Sequence, residues 1–168
     1  MMGFLEEDGM DVKQNDLLER RKIEAALAVP IIQGYIQKMG HDKALSVAMD
    51  SMGKLSTGYG HSAARELGSN RLQDLVKIMK SWATGGMLEE EILEETETTY
   101  FFNVTRCRYA EAYEAMGVRE FGYCLSCCRD QPFIEGFNPD IKFKRTKTIM
   151  EGDPHCDFRL SLDRPVSP

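Results

Sequence analysis

Cys107, Cys124, Cys127, Cys128 and Cys156 all fall in the last 62 residues of a 168-residue chain, interleaved with Asp130, His155 and Asp157. A thiolate beside His155 or an arginine would be a nucleophile of lowered pKa, and this puts Cys107 and Cys156 forward for covalent catalysis. His155 and Asp130 are the candidate general bases, the imidazole already close to the useful range. Arg106, Arg145 and Arg159 have the forked guanidinium geometry that grips a carboxylate with two hydrogen bonds.

Each of these residues also has a plainer use. Cysteine is among the most often buried residue types, and Cys156 beside Phe158 can be a small core residue. His155 follows a proline in a turn and can be exposed and inert. Asp157 and Arg159 share one face of a strand by alternation, which makes a structural ion pair their default. A metal would use Cys124, Cys127 and Cys128, but only Cys124-x-x-Cys127 has ligand spacing, and Cys107, His155 and Cys156 would join only if the fold gathered them. No cofactor is otherwise expected. Disulfides are the weaker use of five thiols, an odd number in a chain assigned by default to the cytoplasm.

Charge and hydropathy limit the partners. The formal charge is −6, and residues 98–168 hold ten basic and ten acidic side chains, so the acidic excess lies in residues 1–97. Nucleic acid is an unfit partner, since phosphate contacts need clustered Lys and Arg. The longest apolar stretches, such as Ala25 to Ile32, are far short of the ~20 residues of a membrane span. The acidic start lacks the basic and apolar regions of a secretory signal.

The elements that must position these groups follow from period and punctuation. Asp16-Leu17-Leu18-Glu19 predicts a helix start, with Ile23, Leu27, Ile31, Tyr35 and Met39 as the apolar positions and Gly40 as the stop. Pro30 predicts a kink or two shorter pieces. Asp42 can cap a second helix bearing Leu45, Ala48, Met49 and Met52, weakened later by Gly53, Gly58 and Gly60. His41 at the junction reads as a C-terminal cap. The glycines around His61 permit a ligand or, more commonly, a second helix to come close. Lys54 is no phosphate-loop lysine, because Ala48 and Leu55 stand where the first glycine and the hydroxyl belong.

A third helix is expected over residues 70–82, with Leu72, Leu75, Val76, Met79 and Trp82 on its core stripe and Gly85-Gly86 at its end. The run Glu89–Glu95 reads as a solvated short helix or linker. Thr98 to Thr105 reads as a strand that ends at Cys107. Helices over 109–116, closed by Gly117, and over 120–129 follow, the second breaking near Pro132. On that second helix Cys124 would share a face with Cys127 or Cys128. Ile141 to Ile149 alternates as a strand with a basic outer face, Glu151 to Pro154 turns the chain, and Cys156 to Leu162 returns antiparallel.

Arg106-Cys107-Arg108-Tyr109-Ala110-Glu111, Met116-Gly117 with Glu120, Cys127-x-x-Asp130, Phe143-x-Arg145-Thr146-x-Thr148 and Gly152-Asp153-x-x-Cys156-Asp157-Phe158-Arg159 occur in this order over about residues 98–162. In these motifs the chain resembles the L-2-amino-thiazoline-4-carboxylic acid hydrolase family of bacterial proteins. The helical first half is similar only in length and character. The resemblance implies hydrolytic opening of a small ring containing sulfur and nitrogen, with N-carbamoyl-L-cysteine or a similar product. It implies Cys107, Asp130, His155 and Cys156 as catalytic residues and Arg106, Tyr109, Arg145 and Arg159 as substrate-binding residues. The Cys124–Cys128 cluster departs from the family pattern, which has a single cysteine before the x-x-Asp. The layout also resembles small-ligand sensor domains related to vinyl reductases, so a ligand-binding or metal-binding sensor is the competing function.

The fold class expected is α+β in a single domain spanning 1–168. Residues 1–97 form a helical layer that packs on a small, mainly antiparallel sheet in the cysteine-bearing part, 98–162. That sheet ends in a C-terminal β-hairpin, and residues 163–168 are a loose tail. The open sheet has edges that pairing in a homodimer would protect.

Overall fold

A computed structural model describes residues 8–164, with side chains from Leu17 onward. Residues 1–7 and most of the expected tail, 165–168, lie outside the described residues; Asp163, inside them, pairs with Lys142 at 2.6 Å. Helix α1 (Asp8–Met39) starts eight residues before the expected cap and runs through Pro30 as one element. Pro30 is tolerated because it and Ala26, whose carbonyl loses its helical donor, both face solvent, where water can replace the bond.

The inward face of α1 also differs from expectation. Ile23, Leu27, Ile31, Tyr35 and Met39 point outward, Ile23 and Leu27 each 69% exposed, while Leu18, Ala25, Val29 and Ile32 are buried. A row repeating every four residues drifts around a 3.6-residue helix. The buried set, spaced seven, four and three, stays on one side.

Gly40, with φ 85°, separates α1 from α2 (His41–Leu67). His41 thus opens α2 rather than closing α1, and it lies 3.1 Å from Asp42. As expected, Leu45, Ala48, Met49 and Met52 pack inward, here on the cluster formed by α1 and the helices that follow Cys107. Helix α3 (Leu72–Ala83) buries Leu72, Leu75, Val76 and Met79. Trp82 lies at the edge of the same cluster.

The four strands are β1 (Leu88–Glu95), β2 (Thr99–Cys107), β3 (Lys142–Lys144) and β4 (Cys156–Ser161), in the order β1-β2-β4-β3. All neighbours are antiparallel. The α+β class, helical layer and C-terminal hairpin therefore stand. The acidic run is an edge strand and not a helix or linker. Its carboxylates are held from outside it, Glu95 by Lys80 at 2.8 Å and Glu89 by Arg106 at 3.2 Å. Charge on an edge strand also discourages further strand addition.

Tyr100, Phe102 and Val104 of β2 and Cys156, Phe158 and Leu160 of β4 form the inner face of the sheet, stacked on α3. Helix α4 (Arg108–Ala115) follows β2 directly and ends near Gly117, whose φ is 68°. The expected helix over 120–129 is broken. A single turn, α5 (Gly122–Leu125), is interrupted at Ser126 (φ −124°, ψ −65°), then come a 3-10 turn, Cys127–Arg129, and α6 (Asp130–Phe137). Pro132 lies in the first turn of α6, where a missing N–H costs no helical bond; it helps start a helix and does not end one.

Helices α2 and α6 cross at backbone contact. A Cβ on Gly60 would stand 2.2 Å from the Phe133 carbonyl oxygen, and one on Gly136 would stand 2.3 Å from that of Thr57. The glycines near His61 thus serve helix packing, and His61 itself is exposed.

Candidate active site

Two apolar clusters meet in this fold, one between the sheet, α3 and α6, the other between α1, α4 and α5. Leu88, Cys107 and Ile149 border both. At this seam lies a cavity of about 180 Å³. Cys107, Cys127 and Cys156 line it together with Asp130, Arg145 and Tyr109. Aromatic walls come from Tyr59, Trp82, Phe133 and Phe158.

Arg145 reaches the cavity because the strand expected over 141–149 pairs only through Lys144. Beyond it the chain is held by Asp157, which accepts from the Thr146 N–H at 2.8 Å, the Lys147 N–H at 2.6 Å and the Thr146 hydroxyl at 2.7 Å. These bonds hold the Asp157 carboxyl below its ordinary range, outweighing the opposing effect of burial. With this segment anchored, Arg145 turns inward, its side chain only 6% exposed, and forms an ion pair with Asp130. It also donates to the Cys127 carbonyl at 3.0 Å and stacks on the Phe158 ring at 5.2 Å.

Burial pushes the Asp130 carboxyl up from its ordinary range, and the positive charge and hydrogen bond of Arg145 only partly offset this. A carboxylate of raised basicity in a cleft is suited to proton transfer. The thiols follow the same rule. Burial pushes Cys127 well up, and Cys156 up to about 11 although the Ile149 N–H at 3.2 Å favours its thiolate. Cys107 stands at the junction of β2 and α4. Burial raises it too, while the N–H groups of Ala110 and Tyr109 in the first turn of α4 pull in the opposite direction.

Other sequence candidates lie elsewhere. Arg106 alternates away from Cys107, is half exposed and pairs with Glu111 at 2.6 Å and Glu89 at 3.2 Å. Arg159 is on the outer sheet face, opposite Phe101, and donates to the Phe102 carbonyl at 2.8 Å and to Asn103 at 2.9 Å. It does not pair with Asp157. His155 is half-buried in the turn before β4 and does not line the cavity. The cysteine cluster is split by the break at Ser126. Cys124 is buried in the core, Cys127 lines the cavity, and Cys128 donates to the Cys124 carbonyl at 2.8 Å. No group of three His, Cys, Asp or Glu side chains placed to hold a metal ion occurs among the described residues.

Arg21, Ser56 and Arg129 also line the cavity, and the sequence pattern did not single them out. Arg129 and Glu24, 105 residues apart, meet at 3.3 Å, a pairing without any local signature.

A family model described as L-2-amino-thiazoline-4-carboxylic acid hydrolase matches residues 20–160. The chain belongs to this family. The match takes in α2, α3 and most of α1, so the helical half is part of the hydrolase family pattern and not merely similar in character. It also contains every residue of the cavity except Leu17. A search of curated proteins finds no match. No helix among the described residues is long and apolar enough to cross a membrane.

The buried thiols give the site a testable reactivity. At about pH 7.5 a thiol of pKa about 11, as at Cys156, holds more than ~100-fold less thiolate than a free one of pKa ~8.5. Alkylation of the native protein should leave Cys156 and Cys127 slowest, with rates climbing steeply as pH rises. Mass spectrometry that found either modified as fast as in the denatured chain would contradict this arrangement.

Proposed function

We propose that this member of the hydrolase family opens a small cyclic amidine containing sulfur, such as 2-amino-thiazoline-4-carboxylate, by addition of water. The buried Asp130–Arg145 pair in a thiol-lined cavity supports this reading most directly. Water adds across the C=N bond of the ring, its oxygen to carbon and its proton, by way of Asp130, to the ring nitrogen. Asp130 then takes the proton of the new hydroxyl as the carbonyl forms and the carbon–sulfur bond breaks, and passes it to the departing sulfur. The product is N-carbamoyl-L-cysteine, which contains the atoms of substrate and water and nothing else.

Arg145 positions the Asp130 carboxylate and is itself fixed by the Cys127 carbonyl and the Phe158 ring. The leaving thiolate, of pKa ~8.5, needs little acid assistance. Cys107 and Cys156, both raised, act as neutral walls of the cavity in this scheme and not as nucleophiles. Incubation with the thiazoline should yield N-carbamoylcysteine by mass spectrometry. Cys107→Ala should keep kcat within about tenfold of the parent, whereas a nucleophile would cost on the order of 10³ or more. A mass increase trapped on Cys107 during turnover would replace water by the thiolate.

A further inference from the structure

Around the cavity three guanidiniums, those of Arg21, Arg129 and Arg145, face two carboxylates, Asp130 and Glu24. Asp130 is taken by Arg145. Glu24 is shared, with Arg21 at 2.7 Å and Arg129 at 3.3 Å, and the two arginines hold its carboxyl below the ordinary range against the opposing effect of burial. The thiols and the Tyr109 phenol, all shifted upward, contribute no negative charge. Among the described residues one positive charge is therefore unmatched.

The excess has an address. Arg129 is only 13% exposed, its Nε is buried with no hydrogen-bond partner among the described residues, and one of its terminal nitrogens is spent on Glu24 and the Met52 sulfur at 3.3 Å. A buried guanidinium donor is costly to leave unpaired, and its forked geometry matches a carboxylate. The Ser56 hydroxyl, donating to the Arg129 carbonyl at 2.7 Å, ties this residue to α2.

We infer that Arg129, with Arg21 at its side, is the subsite for the carboxylate of a small-ring monoanionic substrate, and that Glu24 holds the two arginines in place until that anion arrives. This rests on reading the cavity as the substrate site, but not on the thiazoline being the substrate. The cavity, about 180 Å³, is small for a drug-sized or nucleotide ligand. Arg106, Arg145 and Arg159, the candidates from sequence, are respectively committed to glutamates, to Asp130 and to the outer sheet face.

Calorimetric binding of 2-aminothiazole-4-carboxylate, an aromatic analogue that water does not open, tests the subsite apart from turnover, with the matching carboxamide as control. The carboxylate should bind at least roughly 30-fold more tightly than the carboxamide, and Arg129→Met should erase most of that preference. Glu24→Gln removes the competing negative charge and should tighten carboxylate binding by about fivefold. A purely structural Arg21–Glu24–Arg129 network predicts the opposite, loss of binding in both variants. Equal affinity for carboxylate and carboxamide, no binding of either by the parent protein, or weaker binding by Glu24→Gln would overturn the assignment. If the parent opens the thiazoline yet shows no carboxylate preference, only this inference fails. If it binds the carboxylate as described and opens no thiazoline, only the proposed reaction fails.

Discussion

Asp130→Asn should lower kcat for thiazoline opening by at least about 100-fold, the usual contribution of a positioned general base, and leave the protein as stable as before or slightly more so. The second half of this expectation follows from the direction of the pKa shift. Burial raises the folded-state pKa of Asp130 above its unfolded value even with Arg145 beside it, so ionising the folded protein at this position costs free energy. Its stabilising contribution is fully present below the unfolded pKa and is lost as pH rises through the folded pKa. Asparagine resembles the protonated form and avoids that loss, while Arg145 keeps its bond to the Cys127 carbonyl and its place on Phe158.

Activity should show the mirror image. The carboxylate is the working form, so kcat should climb with pH through a group titrating above the ordinary carboxylate range. Denaturant unfolding and a kcat–pH profile measured side by side separate these effects. Turnover within threefold of the parent in Asp130→Asn would remove Asp130 from the mechanism.

Gly60→Ala should destabilise the protein by about 3 kcal/mol or more, near the upper end of what overpacking costs. The new methyl would meet backbone, with the Phe133 carbonyl oxygen at 2.2 Å and the Phe137 nitrogen at 2.7 Å, and neither can rotate away. Only separation of α2 from α6 relieves the clash. α6 carries Asp130 at its first turn, and α2 carries Ser56 and Tyr59 on the cavity wall, so activity should fall with stability.

The sign makes this a strong test. Helix propensity alone would have Ala in place of Gly stabilise an exposed helix by roughly 1 kcal/mol. Gly122→Ala offers the contrast, because its Cβ would meet chiefly the Met150 side chain, Sδ at 2.2 Å, which can shift. It should cost less than Gly60→Ala. Urea unfolding in which Gly60→Ala matched or exceeded the parent's stability would show that α2 and α6 do not approach this closely.

Much of the fold was legible because its signals are local. The stripe of α3, the aromatic and β-branched run of β2, the stop at Gly117 and the alternation of β4 each lie within a dozen residues. Cys107 at a strand end and Cys156 opening a strand followed from them. Three misreadings share a cause. The glutamates of β1 fit an exposed helix as well as an edge strand, and only pairing with β2 decides between them. The outward row of α1 is more apolar than the buried one, and only the packing of α2 and α4 selects the face. Pro132 starts a helix as readily as it ends one.

The family motifs, read in order, determined the family and, with the order of elements, the α+β class, and they put forward Cys107, Tyr109, Asp130, Arg145 and Cys156, which line the cavity, together with Arg106, His155 and Arg159, which do not. They did so because motif residues are fixed in number along the chain, whatever the fold around them. Tertiary structure decided which cations line the cavity. A bulge at Thr105, where β2 slips its register on β1, turns Arg106 outward and Cys107 inward, alternation sends Arg159 outward, the anchoring of the 146–147 backbone by Asp157 turns Arg145 inward, and the meeting of Arg21, Glu24 and Arg129 spans more than a hundred residues. A charge network of that span is set by how α1 lies across the Cys127–Arg129 turn. No period or spacing along the chain encodes that contact.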